Sequence, residues 1–316
     1  MIELNPDLYG RMARLSALAD FLEAQAFKHG VSSSRSILAD SICDQHLYEL
    51  EYSPFISGSE LVDAYIYTKM GDQQERSREV ASMVFDTLHS RATCLGSKYP
   101  FIIHKNSYLE YKDETLEEQS IYLYLLSLTL CHAYGKKELI DSTKVLPPLV
   151  CRYMKHRGLH SEEIPLGSTQ RGAFLKRLEG VASKTGLPFT PTLAPTVPTR
   201  AQDAGVDILS CIPFNSSKSG DWVFLGQVTC ANSNQWNKKR QEPQQRVFKK
   251  LLGDSLEPKI FFSVPHHVSE EIKRSFMEDS DCLTLDRLTL SLGLDHLTPE
   301  EFSALKRFKT LEVATD

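Results

Sequence analysis

No stretch of this sequence is long and apolar enough to cross a bilayer as a helix. The longest apolar run, roughly Ile121 to Cys131, falls short of the ~20 residues a span requires, and Ser127 and Thr129 interrupt it. It predicts a buried helix instead. The opening residues, MIELNPDLYGRMARL, lack the basic-then-apolar order of a secretory signal, so the expected compartment is the cytoplasm and no membrane partner is expected. The seven cysteines are scattered, odd in number and never spaced as C-x-x-C. That argues against a zinc knuckle or a disulfide framework and for reduced thiols in apolar surroundings. Also missing are G-x-x-x-x-G-K-[ST], G-x-G-x-x-G, H-E-x-x-H and G-x-S-x-G, and with them the usual signatures of P-loop, dinucleotide-binding, zincin and nucleophile-elbow chemistry. There is no internal repeat.

What is present is the composition of an ordinary globular protein: 316 residues, 41% hydrophobic and 24% charged. That length favours two domains or one core with a large elaboration. The net charge of −5 does not announce a nucleic-acid binder, but it is uneven along the chain. Between positions 238 and 250 lie Lys238, Lys239, Arg240, Arg246, Lys249 and Lys250 against the single acid Glu242, a local patch that permits one.

The first half reads as successive helices. Leu8, Met12, Leu15, Leu18 and Leu22 recur at helical spacing, and His29-Gly30 closes that run. A second helix is predicted after Ser33 or Ser34, a third from Ser59, a fourth over Arg78 to about Thr93, and a fifth over Thr115 to Tyr134. A sixth begins near Lys136, is interrupted at Pro147-Pro148, and resumes in VCRYMKHRG. Only PFIIH, around Phe101, hints at a strand. His46, His132 and His160 lie on or near these helices without metal-binding spacing and read as structural. The expected division is an all-helical domain over 1–165 and a second domain over 166–316, with a proline-rich connector at 187–200.

Beyond that connector the period becomes that of strands. VDILSCIPF and DWVFLGQVTCA form a hairpin around NSSKSG, preceded by a helix in GSTQRGAFLKRLEGVASKTG. A polar helix from about Asn234 to Leu252 follows, kinked or restarted at Pro243, and then a third strand, KIFFSVP. EEIKRSFMED, LDRLTLSLGL and LTPEEFSALKRF read as closing helices, the last with Thr298 as cap and Pro299 at its first position. The fold class expected is therefore α+β overall, with an α/β core of mixed sheet flanked by helices.

The residues in that second half that bear on chemistry are Asp207 at the start of one hairpin strand, Gly226-Gln227 on the next, and Trp236 with Lys238 in NQWNKK. Their order, together with the helix, hairpin, basic helix and strand around them, resembles the PD-(D/E)xK nuclease superfamily, as found in restriction-type and phage-defence nucleases. The VPHH and LTLDRLTLSLGL stretches are similar to such proteins too, so the likeness covers roughly Ser168 to Leu294. It implies a restriction-endonuclease-like core, Mg²⁺ or Mn²⁺ held by Asp207, Gln227 and the Val228 carbonyl, and Lys238 as the stabiliser of developing phosphate charge. It further implies DNA, in preference to RNA, along Lys238, Lys239, Arg240 and Arg246, and a defence role licensed by a partner ATPase or helicase.

Chemically, phosphodiester hydrolysis needs a metal that polarises phosphate and acidifies water, and magnesium is content with one or two carboxylates and several waters. The sequence departs from the superfamily pattern in two places: Gln227 replaces the usual acid, and Thr229 stands where a lysine is usual. Lys238, or Lys239 beside it, would supply that charge from the following helix, and Glu179 offers a second carboxylate. Each residue also has a plain reading: Asp207 and Asp221 as turn residues, Gln227 as a satisfied buried amide, Trp236 as a core anchor, the lysines as a solvated face, and His266-His267 as a loop pair. The competing function is a nuclease-fold nucleic-acid-binding or adaptor subunit without catalysis. The helical half, net acidic, would meet a protein partner or a second copy.

Overall fold

The computed structural model describes residues 1–45, 47, 73–112, 120–168, 170–190, 204–212, 221–252 and 257–314. The expected third helix from Ser59, most of the proline-rich connector and the NSSKSG loop lie outside the described residues.

Helix α1 (Arg14–His29) ends where Gly30 adopts φ 87° and donates its N–H to the Ala26 carbonyl, a conformation glycine enters without cost. Helix α2 (Arg35–Asp44) is capped by Ser34, whose hydroxyl accepts the Ile37 N–H. Helix α3 (Gln73–Leu95) extends the predicted fourth helix at both ends. Helix α4 (Ser120–Ala133) carries the apolar run, and every residue from Ile121 to Cys131 is buried. Helix α5 (Ser142–His156) runs straight through Pro147 and Pro148, correcting the expected interruption. The prolines delete two backbone donors, but Leu146, Leu149, Val150 and Met154 bury a full apolar face, and that burial outweighs the loss.

The N-terminal half is not wholly helical. Strands β1 (Phe101–His104) and β2 (Tyr108–Tyr111) form an antiparallel hairpin where PFIIH was expected to extend. Strand β3 (His160–Glu163), invisible in the sequence, lies inside the first 165 residues yet pairs antiparallel with β4 (Ile208–Ile212). Helix α6 (Arg171–Thr185) intervenes. Strand β4 pairs antiparallel with β5 (Trp222–Val228), as the hairpin reading requires. The basic segment is two short helices, α7 (Trp236–Arg240) and α8 (Gln245–Leu251), broken at Pro243. Strand β6 (Lys259–Ser263) runs parallel to β5, and after α9 (Glu270–Ser280) strand β7 (Cys282–Leu285) runs parallel to β6. Helices α10 (Arg287–Gly293) and α11 (Pro299–Lys309) close the chain, α11 with the full capping box of Thr298 and Glu301. LDRLTLSLGL is therefore part strand and part helix.

The result is a mixed five-stranded sheet in the order β3-β4-β5-β6-β7 with helices on both faces. Helix α5 covers one face of β3 to β5, and α6 packs against β3 and β4 from the other. Alternation along β5 sends Val223 and Leu225 to a smaller cluster with Phe174 and Phe248, and Phe224 and Val228 to the main core. That main core runs from Ile2 to Val313, so the boundary expected at 165/166 passes through one continuous cluster. Helix α10 likewise packs among α3, α4 and α5. Among the described residues no helix is long and apolar enough to cross a membrane.

The centre of the main core is ionic. Asp20 and Glu23 of α1, Arg91 of α3 and Arg287 of α10 are all 0% exposed. Arg287 grips Asp20 with two hydrogen bonds, 2.7 and 2.6 Å, while Arg91 reaches Asp20 at 2.7 Å and Glu23 at 2.8 Å. Tyr9 donates to Asp20, and Tyr99 and Tyr122 donate to Glu23. Two acids thus balance two guanidiniums, the condition under which full burial of charge is tolerable.

Candidate functional site

Asp207 immediately precedes β4. Its backbone continues the ladder, donating to the Gly226 carbonyl and accepting from Ile164, while its carboxylate takes over where the backbone pairing ends: Oδ2 accepts the Val228 N–H at 2.7 Å. A chain end that would otherwise leave a strand amide unpaired is closed by a side chain. Asp207 lines a cavity of about 680 Å³ between the end of β5, the start of α5 and the segment after β3. Val228, Thr229, Asn232, Gln235 and His266 line it from the C-terminal half. Leu8, His132 and Thr143 line it from the N-terminal half.

One cavity residue was missed by sequence reasoning. Glu163, at the end of β3 and opposite Ile208 in register, lines the cavity beside Asp207. Burial raises its carboxyl above the ordinary range, Glu162 adds to that, and Lys155 opposes it while holding Glu162 at 2.8 Å. A helix-rich context and a four-residue length hid β3, and nothing in HSEE marks Glu163 as different from a surface acid.

The predicted residues are only partly together. Asp207 and Val228 meet directly. Gln227 is buried, but it shares the β5 face of Val223 and Leu225 and does not line the cavity. Lys238 is exposed on α7, three positions beyond Gln235 and so one turn up the helix from the cavity wall. Lys239 is engaged by Glu242 at 3.0 Å, and Arg246 is exposed on α8. Arg240 is a correction: at 3% exposure it stacks over Phe276, pairs with Asp279 at 3.0 Å and bonds Ser280, so it fastens α7 to α9 rather than facing a nucleic acid. Glu179 is exposed on α6, away from the cavity lining.

Trp236 is fully buried, donates its indole N–H to the Ala231 carbonyl at 2.9 Å, and packs edge-on against Phe262 and His266, which is the core-anchor role. His266 and His267 follow β6 in a loop, as expected, but both are buried. Burial first, then Arg287, pushes His266 down to about 3, so it is neutral at physiological pH. His267 is shifted the same way by burial and by Arg91, whose Nε donates to its Nδ1.

For a divalent cation the cavity offers hard oxygen donors of the right kind: the carboxylates of Asp207 and Glu163 and the backbone at Val228. Magnesium, which retains several waters and asks for one or two carboxylates, suits that donor type. Among the described residues no three of His, Cys, Asp and Glu converge as a preformed cage. Five of the cysteines are buried and all seven are free thiols, consistent with their reading as reduced.

Comparison of the chain with family models, with curated proteins and with solved structures finds no match to any of them.

Proposed function

We propose that this protein is a metal-dependent phosphodiesterase acting on nucleic acid, DNA in preference to RNA, with its centre at Asp207. The observation that carries this reading is the placement of Asp207. It stands at the start of β4 within the antiparallel β3-β4-β5 unit, its carboxylate fixed by the Val228 amide at the end of β5, and it lines a cavity. The mixed sheet order and the helices on either side support the likeness to the PD-(D/E)xK core that the sequence suggested. Asp207 and Glu163 would hold Mg²⁺ or Mn²⁺, which when bound supplies a Lewis acid for phosphate and a water of lowered pKa.

The chain's own contributions follow from position. The Val228 amide orients the Asp207 carboxylate, so its second oxygen is presented in one direction. Glu163, brought beside Asp207 by the β3-β4 register, adds a second carboxylate to the same lining. Lys238, exposed one turn from Gln235, brings a positive charge to the mouth, and Arg246 with Lys250 extends it along α8 for backbone phosphates. A role in defence against foreign DNA, with an ATPase or helicase partner, rests on the sequence resemblance alone.

A second reading, a nucleic-acid-binding adaptor that retains the fold without catalysis, is favoured by one observation: Gln227 is turned away from the cavity where the superfamily places an acid. Both readings meet in one assay. Full-length protein with Mg²⁺ or Mn²⁺ is incubated with single- and double-stranded DNA and RNA, beside Asp207→Asn, Glu163→Gln and Lys238→Ala. Losing an outer-shell partner of a metal ligand costs ~10–100-fold, so losing the ligand Asp207 should cost more than about 100-fold. Asn keeps an acceptor for Val228, so the fold should survive. Equal cleavage by all four proteins removes the assignment, and binding without cleavage by the wild type selects the adaptor.

A further inference from the structure

Leu166 is the most exposed large apolar side chain among the described residues, at 70%, although Ile164 two positions before it is buried. A single exposed leucine needs no explanation in itself; the place of this one does. It lines the cavity that Asp207 and Glu163 line, together with Leu8, Leu146, Pro147 and Pro165. The turn that carries it is fastened at both ends. The Ile164 N–H bonds the Asp207 carbonyl at 2.8 Å, and Arg177 of α6 donates to the Ser168 carbonyl at 3.2 Å. Between these anchors Pro165 fixes its own φ. Gly167 lets the Arg177 guanidinium so close that a Cβ there would lie 2.7 Å from Nη1. Leu166 is thus held out into water two residues, about 7 Å of extended chain, from the residue that bonds Asp207.

Cations surround that apolar tip. Lys144 of α5 lines the same cavity, is 81% exposed and pairs with Asp141 at 3.2 Å. Lys137 is exposed beside the cavity residue His132, whose pKa is lowered first by burial and then by that lysine. Lys238 stands one turn beyond Gln235 in the C-terminal half. The partner that matches an apolar tip among cations is anionic along its backbone and apolar on the faces of its bases. We propose that Leu166 is a wedge that enters the base stack of duplex DNA at the step whose phosphate lies at the Asp207 centre. Lys137 and Lys144 take neighbouring phosphates from the N-terminal half, and Lys238 takes one from the C-terminal half. Apolar side chains inserted in this way partly unstack a base step and kink the duplex. The step brought to Asp207 is then selected by how readily it opens, so flexible pyrimidine–purine steps are preferred. The choice of DNA as occupant rests on the reading above; the wedge adds how the duplex is deformed and which step is chosen.

The test uses full-length Asp207→Asn protein, expected to leave DNA intact, and short duplexes carrying 2-aminopurine at a TA or a GC step, since that base brightens when it unstacks. Saturating protein should raise the fluorescence, more at TA than at GC. Adding Leu166→Ala should abolish the rise and weaken duplex binding about tenfold, equivalent to ~1.4 kcal/mol. Leu166→Met, which restores an apolar tip, should keep the rise. So should Leu292→Ala, which trims an exposed leucine of α10. Thermal melting of each variant establishes that it is folded. The inference is overturned if the fluorescence does not rise, if it rises equally with Leu166→Ala, or if Leu292→Ala abolishes it as well. Self-association of the protein that Leu166→Ala abolishes would assign the leucine to a second copy and overturn it too. Cleavage of DNA indifferent to Leu166 would sink the wedge and leave the proposed function standing. Unstacking that depends on Leu166, without cleavage by the wild type, would keep the wedge and select the adaptor. A protein that neither binds nor cuts nucleic acid would sink both.

Discussion

Removing Asp20 should be among the most damaging single changes in this chain. Its two oxygens accept four hydrogen bonds, two from Arg287, one from Arg91 and one from Tyr9, and all of these groups are out of solvent. In Asp20→Ala the remaining acid, Glu23, still balances Arg91 at 2.8 Å, but it lies 3.8 Å from Arg287. One guanidinium is thus left buried without a close counter-ion. Breaking a buried pair in this way costs about 3–5 kcal/mol, out of a total of about 5–15 kcal/mol for a folded protein. Arg287→Met should cost a similar amount, because it strands Asp20 with half of its charge compensation. The double variant should cost much less than the sum, since Arg91 and Glu23 remain as a neutral pair and the two lost charges no longer oppose burial. Urea unfolding followed by circular dichroism gives the four free energies. A coupling of at least about 2 kcal/mol is expected, at the upper end of the range for residues in contact. Additive single effects, or singles below about 1 kcal/mol, would refute the claim that charge balance holds this core together.

Three further outcomes follow from other sites. His266 titrates at about 3 when folded against about 6.5 in an unfolded chain. Its contribution to stability is therefore complete above pH 6.5 and is lost as pH falls, at about 1.4 kcal/mol per unit. Urea midpoints at pH 7.5 and 5 should differ accordingly, less so in His266→Gln, whereas Asp20, held below the ordinary range by Arg287 and Arg91, loses its contribution only below about pH 4. A Cβ at Gly226 would lie 2.1 Å from the Phe261 ring, so Gly226→Ala should cost about 1–3 kcal/mol. Phe261→Leu should recover part of that, and a neutral Gly226→Ala would contradict the close approach of β5 to β6. Finally, Thr298→Ala removes one arm of the capping box and should lower stability by about 1 kcal/mol in the same unfolding assay.

Much of the local structure was legible because it is set by neighbours in sequence. Gly30 ends α1, Ser34 caps α2, Thr298 caps α11, and alternation plus β-branched residues marks β4 and β5. The helix break at Pro243 and the burial of Trp236 were equally local. Glu163 was not legible, because what distinguishes it is the register of β3 against β4 and not its own flanks. Nor was the burial of Arg240, which depends on Asp279 and Phe276 some forty positions away. Asp20 and Glu23 did carry a faint local signal, two acids one turn apart amid Leu18, Phe21 and Leu22, but their meaning required Arg91 and Arg287 to arrive from distant segments.

By itself, then, the amino-acid sequence determined where the chain turns, which helices are apolar and which strands form the hairpin around Asp207, because propensity, capping and periodicity act over a few residues. Only the tertiary structure decided what Asp207 faces. Strand alternation turns Gln227 away from the cavity, the start of β4 turns the Asp207 carboxylate onto the Val228 amide, and β3 brings Glu163 alongside. Those outcomes depend on which strand lies beside which, and that pairing is selected by the burial of one continuous core from Ile2 to Val313. The same burial decided that Pro147 and Pro148 would be accommodated inside a helix, since the gain from packing its apolar face is collected only when the sheet is there to receive it.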